Sequence, residues 1–127
     1  MSEIIPSNPA TLAPPGGHYS HVLKAGGFVF ISGQLPIAAD GTRLTGAPFE
    51  RQVQQVLDNV SQAVIGAGTS VSKLVQVRVY LTDIQYWPAF NELYAKWAGA
   101  SRPARAVVPV SQLHYDLLIE MEATALV

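Results

Sequence analysis

Leu74-Val75-Gln76-Val77-Arg78-Val79-Tyr80-Leu81 is an alternating stretch set between two helical patterns, a strand between helices from which the class of fold follows. Leu74, Gln76, Arg78 and Tyr80 fall on one side of an extended chain, and Val75, Val77, Val79 and Leu81 on the other, which is the two-residue period of a strand. Upstream, Phe49, Val53, Val56, Leu57, Val60 and Val64 recur at three- and four-residue intervals and predict a helix. Pro48 suits its first turn, Glu50 favours its positive end, and it stops near Gly66-Ala67-Gly68. Downstream, Asp83 and Pro88 introduce a second helix with an aromatic stripe, Trp87, Phe90, Tyr94 and Trp97, ended by Gly99.

Further out, His21 to Lys24 and Phe28 to Ile31 are short apolar runs joined by Ala25-Gly26-Gly27, a hairpin signal. Ser32-Gly33-Gln34 ends the second run, and Asp40-Gly41 supplies another turn. Two more strands follow the Pro103 turn, Arg105 to Val110 and Leu117 to Val127. Residues 1–17 carry Pro6, Pro9, Pro14, Pro15 and Gly16-Gly17 and read as an extended arm or loop. The order β-β-α-β-α-β-β predicts an α+β domain with two helices on one face of a mixed sheet. At 127 residues, a single domain over residues 1–127 is expected.

Only 13% of the residues are charged while 49% are hydrophobic, so part of the apolar surface is expected to be buried between subunits of a homo-oligomer. Eight basic and nine acidic residues give a net charge of -1 with no basic block, a poor match to nucleic acid. Without cysteine there is no disulfide, thiolate nucleophile or cysteine-ligated metal. No stretch approaches the roughly 18–20 apolar residues of a membrane span, and the N-terminus lacks the basic start and apolar core of an export signal, so a cytoplasmic protein is expected.

Pro103-Ala104-Arg105 sets a guanidinium after a helix-breaking proline and at the head of the apolar Ala106-Val107-Val108, where packing explains it poorly. Its planar fork of donors matches a carboxylate, and a small organic acid is the expected guest. In the last strand Leu118, Glu120, Glu122 and Thr124 share a face opposite Ile119, Met121 and Ala123. If that strand pairs with the one begun by Arg105, cation and carboxylate can face one cleft. Spacing alone is equally compatible with a structural salt bridge. Tyr19 and Ser32 are hydroxyls beside glycines, for which turn formation is the simpler reading, and Asn91 beside the aromatic stripe is either a surface amide or one pointing to a subunit boundary.

His18, His21 and His114 do not form a metal motif, since His18 and His21 on a strand would face opposite ways, and surface or loop positions are expected for all three. Ser32 lacks a nucleophile elbow, and the glycine pairs lack the strand-to-helix setting of a phosphate loop.

Taken in order, Gly17-His18-Tyr19-Ser20, Phe30-Ile31-Ser32-Gly33-Gln34-Leu35-Pro36, Asn59, Val79-Tyr80-Leu81-Thr82-Asp83, Asn91 with Tyr94, Pro103-Ala104-Arg105 and Ile119-Glu120-Met121-Glu122-Ala123 resemble the RidA (YjgF) family of reactive-intermediate deaminases. Members of that family have also been labelled L-PSP endoribonucleases or translation inhibitors. The resemblance implies a chorismate-mutase-like fold and a homotrimer with ligand sites between subunits. It further implies hydrolysis of 2-imino acids such as iminopropanoate or iminobutanoate to 2-oxo acids and ammonia, with no metal or organic cofactor. By that resemblance Arg105 grips the substrate carboxylate, Tyr19, Ser32 and Asn91 line the pocket, and Glu120 helps to hold the attacking water. The chain departs from the family pattern at His18, where proline is usual, at Val107 for a cysteine, at Pro109 for a glutamate and at His114 for a proline. These positions bear on the choice of imine or enamine acid. Two other functions remain compatible with the sequence, a non-catalytic carboxylate-binding or chaperone-like protein and an endoribonuclease.

Overall fold

The computed structural model describes residues 3–127. Six strands form one sheet: β1 (Ile5–Ser7), β2 (Val22–Ala25), β3 (Phe28–Gln34), β4 (Leu74–Leu81), β5 (Ala104–Pro109) and β6 (Ile119–Leu126). Their spatial order is β1-β2-β3-β6-β4-β5, with β4 and β5 parallel and every other neighbouring pair antiparallel. Two helices, α1 (Phe49–Gly66) and α2 (Trp87–Ala98), pack on one face of this mixed sheet, as the patterning predicts.

The hairpin between β2 and β3 closes at Gly26-Gly27, where both residues have positive φ (58° and 83°), the conformation a two-residue turn of the right twist demands. Helix α1 buries Val53, Val56, Val60 and Val64 against Val29, Ile31, Met121 and Ala123 of the sheet. Pro48 stands just outside α1 at its N-cap rather than within the first turn. In α2 the aromatic stripe divides: Phe90 and Tyr94 are buried, Trp97 is half-buried with its indole N–H donating to Ser61 Oγ of α1 at 2.8 Å, and Trp87 is exposed.

Two features differ from the sequence reading. Ile5–Ser7, within the proline-rich arm, pairs with β2 as a short edge strand; Pro6 is tolerated there because an edge leaves one row of backbone groups unpaired. In β4 the alternation breaks at its start. Leu74 is buried with Val77, Val79 and Leu81, while Val75 is 37% exposed, because a bulge opposite Thr124 and Ala125 inserts one residue between Leu74 and Gln76 and switches the face. Among the described residues no helix is long and apolar enough to cross a membrane.

Candidate functional site

Every second residue of β5 points toward the helices. Arg105 is in register with Val77 and Val107 with Val79, both fully buried, so the guanidinium lies on the helix-covered face of the edge strand. There its Nη1 donates to Asn91 Oδ1 of α2 at 2.9 Å, and its carbon stands 4.8 Å from the centre of the Tyr94 ring and 5.8 Å from that of Phe90. The Asn91 amide is half-buried at the cleft and its oxygen accepts from the arginine, which it helps to fix. Among the described residues no carboxylate pairs with Arg105, and beside it opens a cleft of about 450 Å³ lined by Asn91, Tyr94, Ser101 and Pro103. The Tyr94 hydroxyl is buried without a partner among the described residues, and burial raises its pKa, an effect the Arg105 charge opposes.

Glu120 stands elsewhere. It is in register with Tyr80, on the face of the sheet that carries no helix, and β4 lies between β6 and β5. The pairing that would bring Arg105 and Glu120 to one cleft of one chain does not occur: the two strands are not neighbours, and the two side chains occupy opposite faces. Instead Glu120 lines a larger cavity, about 660 Å³, together with Tyr19, Ser32, His114, Tyr115 and Arg43. Burial raises the Glu120 pKa; His114 pulls it down and Glu122 pushes it further up. Glu122 in turn accepts a short hydrogen bond from the Tyr80 hydroxyl, whose pKa that bond raises.

A bulge at the end of β3 shapes this cavity. The register with β6 jumps between Ile31 and Gln34, where Ser32 and Gly33 stand opposite the single residue Glu122. A β-carbon on Gly33 would stand 2.5 Å from Glu120 Oε2, so glycine there makes room for the carboxylate. Ser32 Oγ donates to Ser20 O at 2.6 Å, which ties the bulge to the arm carrying Tyr19. Tyr19 itself is 47% exposed, its hydroxyl 3.4 Å from the Gly16 amide that donates to it and its ring edge-on to His21.

His21 is the clearest residue that sequence reasoning misplaced. It is buried, not on the surface; Gln34 Nε2 is 3.1 Å from its Nδ1, and its Nε2 is 2.7 Å from Ala13 O. With Gln34 donating, Nδ1 accepts and Nε2–H holds the arm against the sheet. Arg43 and Tyr115 also line the cavity without any signal in the sequence; the guanidinium of Arg43 lies 3.6 Å above the centre of the Tyr115 ring. His18 is exposed and lies off the cavity, whereas His114 lines it.

The chain therefore carries two separate cavities, one beside a cation that pairs with no carboxylate among the described residues and one holding a partly buried carboxylate among hydroxyls. The family model described as Endoribonuclease L-PSP matches residues 10–127. The chain belongs to this family, the RidA/YjgF proteins. A RutC family protein of Pyrococcus horikoshii is 42% identical over 111 residues, which span 87% of this chain and 88% of that one. The chloroplastic Reactive Intermediate Deaminase A of Arabidopsis thaliana is 33% identical over 117 residues, 92% of this chain and 60% of that one. Among solved structures, E. coli TdcF with bound serine superposes with a TM-score of 0.85 at 30% identity, covering 93% of this RidA-family chain and 94% of the other.

Proposed function

We propose that the protein is a cofactor-independent deaminase that hydrolyses reactive 2-imino and enamine acids to 2-oxo acids and ammonia, at sites completed between subunits of a homotrimer. The observation that carries this reading is the guanidinium of Arg105, buttressed by Asn91 and lying over Tyr94, beside an open cleft and paired with no carboxylate among the described residues. A cation so placed costs desolvation unless an anion meets it. Membership in a family that includes a deaminase, and a relative that binds serine, support a small carboxylate as that anion.

The second support is the incompleteness of each half. Arg105 and Asn91 open on one edge of the sheet, while Tyr19, Ser32 and Glu120 open on the other side. The helix-free face between them exposes Phe28 and Phe30 of β3 and Leu126 of β6, a surface suited to a second copy of the chain. In such an assembly Arg105 and Asn91 of one copy meet Tyr19, Ser32 and Glu120 of another.

The chemistry asks for little. Arg105 grips the substrate carboxylate in bidentate fashion and fixes the imine carbon against a water on Glu120. As the water oxygen bonds to that carbon, its proton passes to the Glu120 carboxylate and the C=N electron pair moves to nitrogen, which then takes that proton from Glu120. Glu120 then relays the hydroxyl proton of the carbinolamine to the amino nitrogen, the C–N bond breaks with its electron pair leaving on ammonia, and the C–O bond becomes a carbonyl. One observation favours a second reading, a carboxylate binder without turnover: the Ser32 hydroxyl is already committed to Ser20 O and offers a ligand only its lone pairs.

The test generates 2-iminopropanoate with an amino-acid oxidase and follows its trapping by semicarbazide. Faster loss of imine with the protein present is expected. Arg105→Ala should reduce it about 100-fold or more with the fold intact, since misplacing the reacting atoms costs that order of rate. Saturable binding of 2-oxobutanoate without turnover would select the second reading.

A further inference from the structure

We propose that Arg43, stacked on Tyr115, forms a second anion subsite in the Glu120 cavity and selects 2-imino acids that carry another carboxylate on their side chain. The inference rests on the deaminase reading and names its substrate class.

Three features build the subsite. First, Arg43 sits on a braced loop: Gly41 N donates to Ala38 O at 2.8 Å, Ala38 N to Thr42 O at 2.8 Å, Thr42 N to Asp40 Oδ1 at 2.9 Å, and Arg43 bridges to Ile37. Second, the platform beneath it is held in an unusual backbone. Tyr115 and Asp116 both have positive φ, 62° and 54°, although neither is glycine, and the Thr45 hydroxyl donates to Tyr115 O at 2.8 Å. Such conformations persist where surrounding contacts impose them and cluster at ligand sites. Third, the guanidinium lies 3.6 Å over the Tyr115 ring and, among the described residues, donates to no carboxylate. Stacking occupies its face and leaves the in-plane N–H fork free for a bidentate anion.

Two carboxylates, Glu120 and Glu122, and the imidazole of His114 line the same cavity. Glu122 is engaged by the Tyr80 hydroxyl and neither carboxylate pairs with Arg43. A substrate whose first carboxylate lies on Arg105 of one subunit and whose imine carbon faces Glu120 of the next extends its side chain into this cavity, toward the second fork. A second carboxylate there gains a charge-assisted pair that a plain alkyl side chain cannot make.

Calorimetric titration of the intact protein with 2-oxoglutarate and with 2-oxobutanoate measures the preference directly, without requiring turnover. Wild type is expected to favour 2-oxoglutarate, and Arg43→Gln should lower the ratio of the two affinities by about tenfold or more, the scale of a charged hydrogen-bonded pair. Arg43→Lys, which keeps the charge and loses the flat fork, should fall between them. Binding of 2-oxobutanoate with no preference for the diacid, or a ratio unmoved by Arg43→Gln, overturns the subsite and leaves the deaminase reading standing. Binding of neither acid overturns both. Diacid preference in a protein that turns over no imine supports the subsite and removes only the enzyme.

Discussion

Among single residues, Glu120 carries the proton transfer of the proposed hydrolysis. As the proton acceptor it must be ionised, and burial holds its pKa above the ordinary carboxylate range. The acid limb of kcat should therefore lie at higher pH than for a solvent-exposed glutamate and should be absent from the residual rate of Glu120→Gln; an unchanged profile in that variant would remove Glu120 from the proton transfer. Stability has the opposite sense. Because the folded protein holds this proton more tightly than the unfolded chain, the group costs stability as pH rises through its folded pKa and nothing below the unfolded one. Glu120→Gln should thus raise Tm at about pH 8 relative to wild type, with the gain vanishing on acidification below the ordinary carboxyl range. Gly33 makes a second residue-level case. Gly33→Ala pushes a methyl into the space of Glu120 Oε2, the movable end of a side chain, so imine hydrolysis should fall while the denaturation midpoint changes little. Loss of folding together with activity would instead mark Gly33 as a backbone requirement.

Among the elements, the apolar join between α1 and the sheet carries one buried polar clasp near the start of the helix. Gln52 Nε2 donates to Ala47 O at 3.1 Å and its Oε1 accepts from Leu118 N at 2.9 Å, fastening the helix start to the entry of β6 and so to Glu120 two residues on. Gln52→Met keeps the volume and strands both backbone partners, and a loss of about 1–3 kcal/mol is expected from chemical denaturation. A value near zero would mean that water replaces the amide. Asn59 does similar work, donating to Leu35 O and Ile37 O at 3.0 Å each and holding the loop that leads to Arg43. None of this was legible in the apolar periodicity, which registers the valines of α1 and passes over the amides between them. The periodicity did yield both helices, the β2–β3 hairpin and the alternating faces of β6, because those patterns are local. It could not yield the order of strands. That β4 separates β5 from β6 depends on which edges meet in three dimensions, and so the relation of Arg105 to Glu120 was out of reach. The bulge at Leu74 and the positive φ of Tyr115 were hidden for a related reason: tertiary contacts impose them on residues with no intrinsic preference for either.

For the molecule as a whole, the proposed trimer would join the two cavities and cover the helix-free sheet face at once. Phe30 is 44% exposed at the middle of the helix-free face. Phe30→Glu should convert a trimer to monomers by sedimentation and abolish hydrolysis with it, since charge at an apolar contact is strongly unfavourable. A trimer that survives the substitution would locate the contact elsewhere. The composite site itself has a sharper test. Arg105→Ala and Glu120→Gln protomers, each left with only a small residual rate as a pure assembly, are unfolded together and refolded as a mixture. Where an intact Arg105 from one protomer meets an intact Glu120 from its neighbour, a working site reappears, and random assembly makes about a quarter of the sites whole. Recovery of about that fraction of wild-type imine hydrolysis is the result predicted; a mixture no more active than either parent would contradict a site shared between subunits.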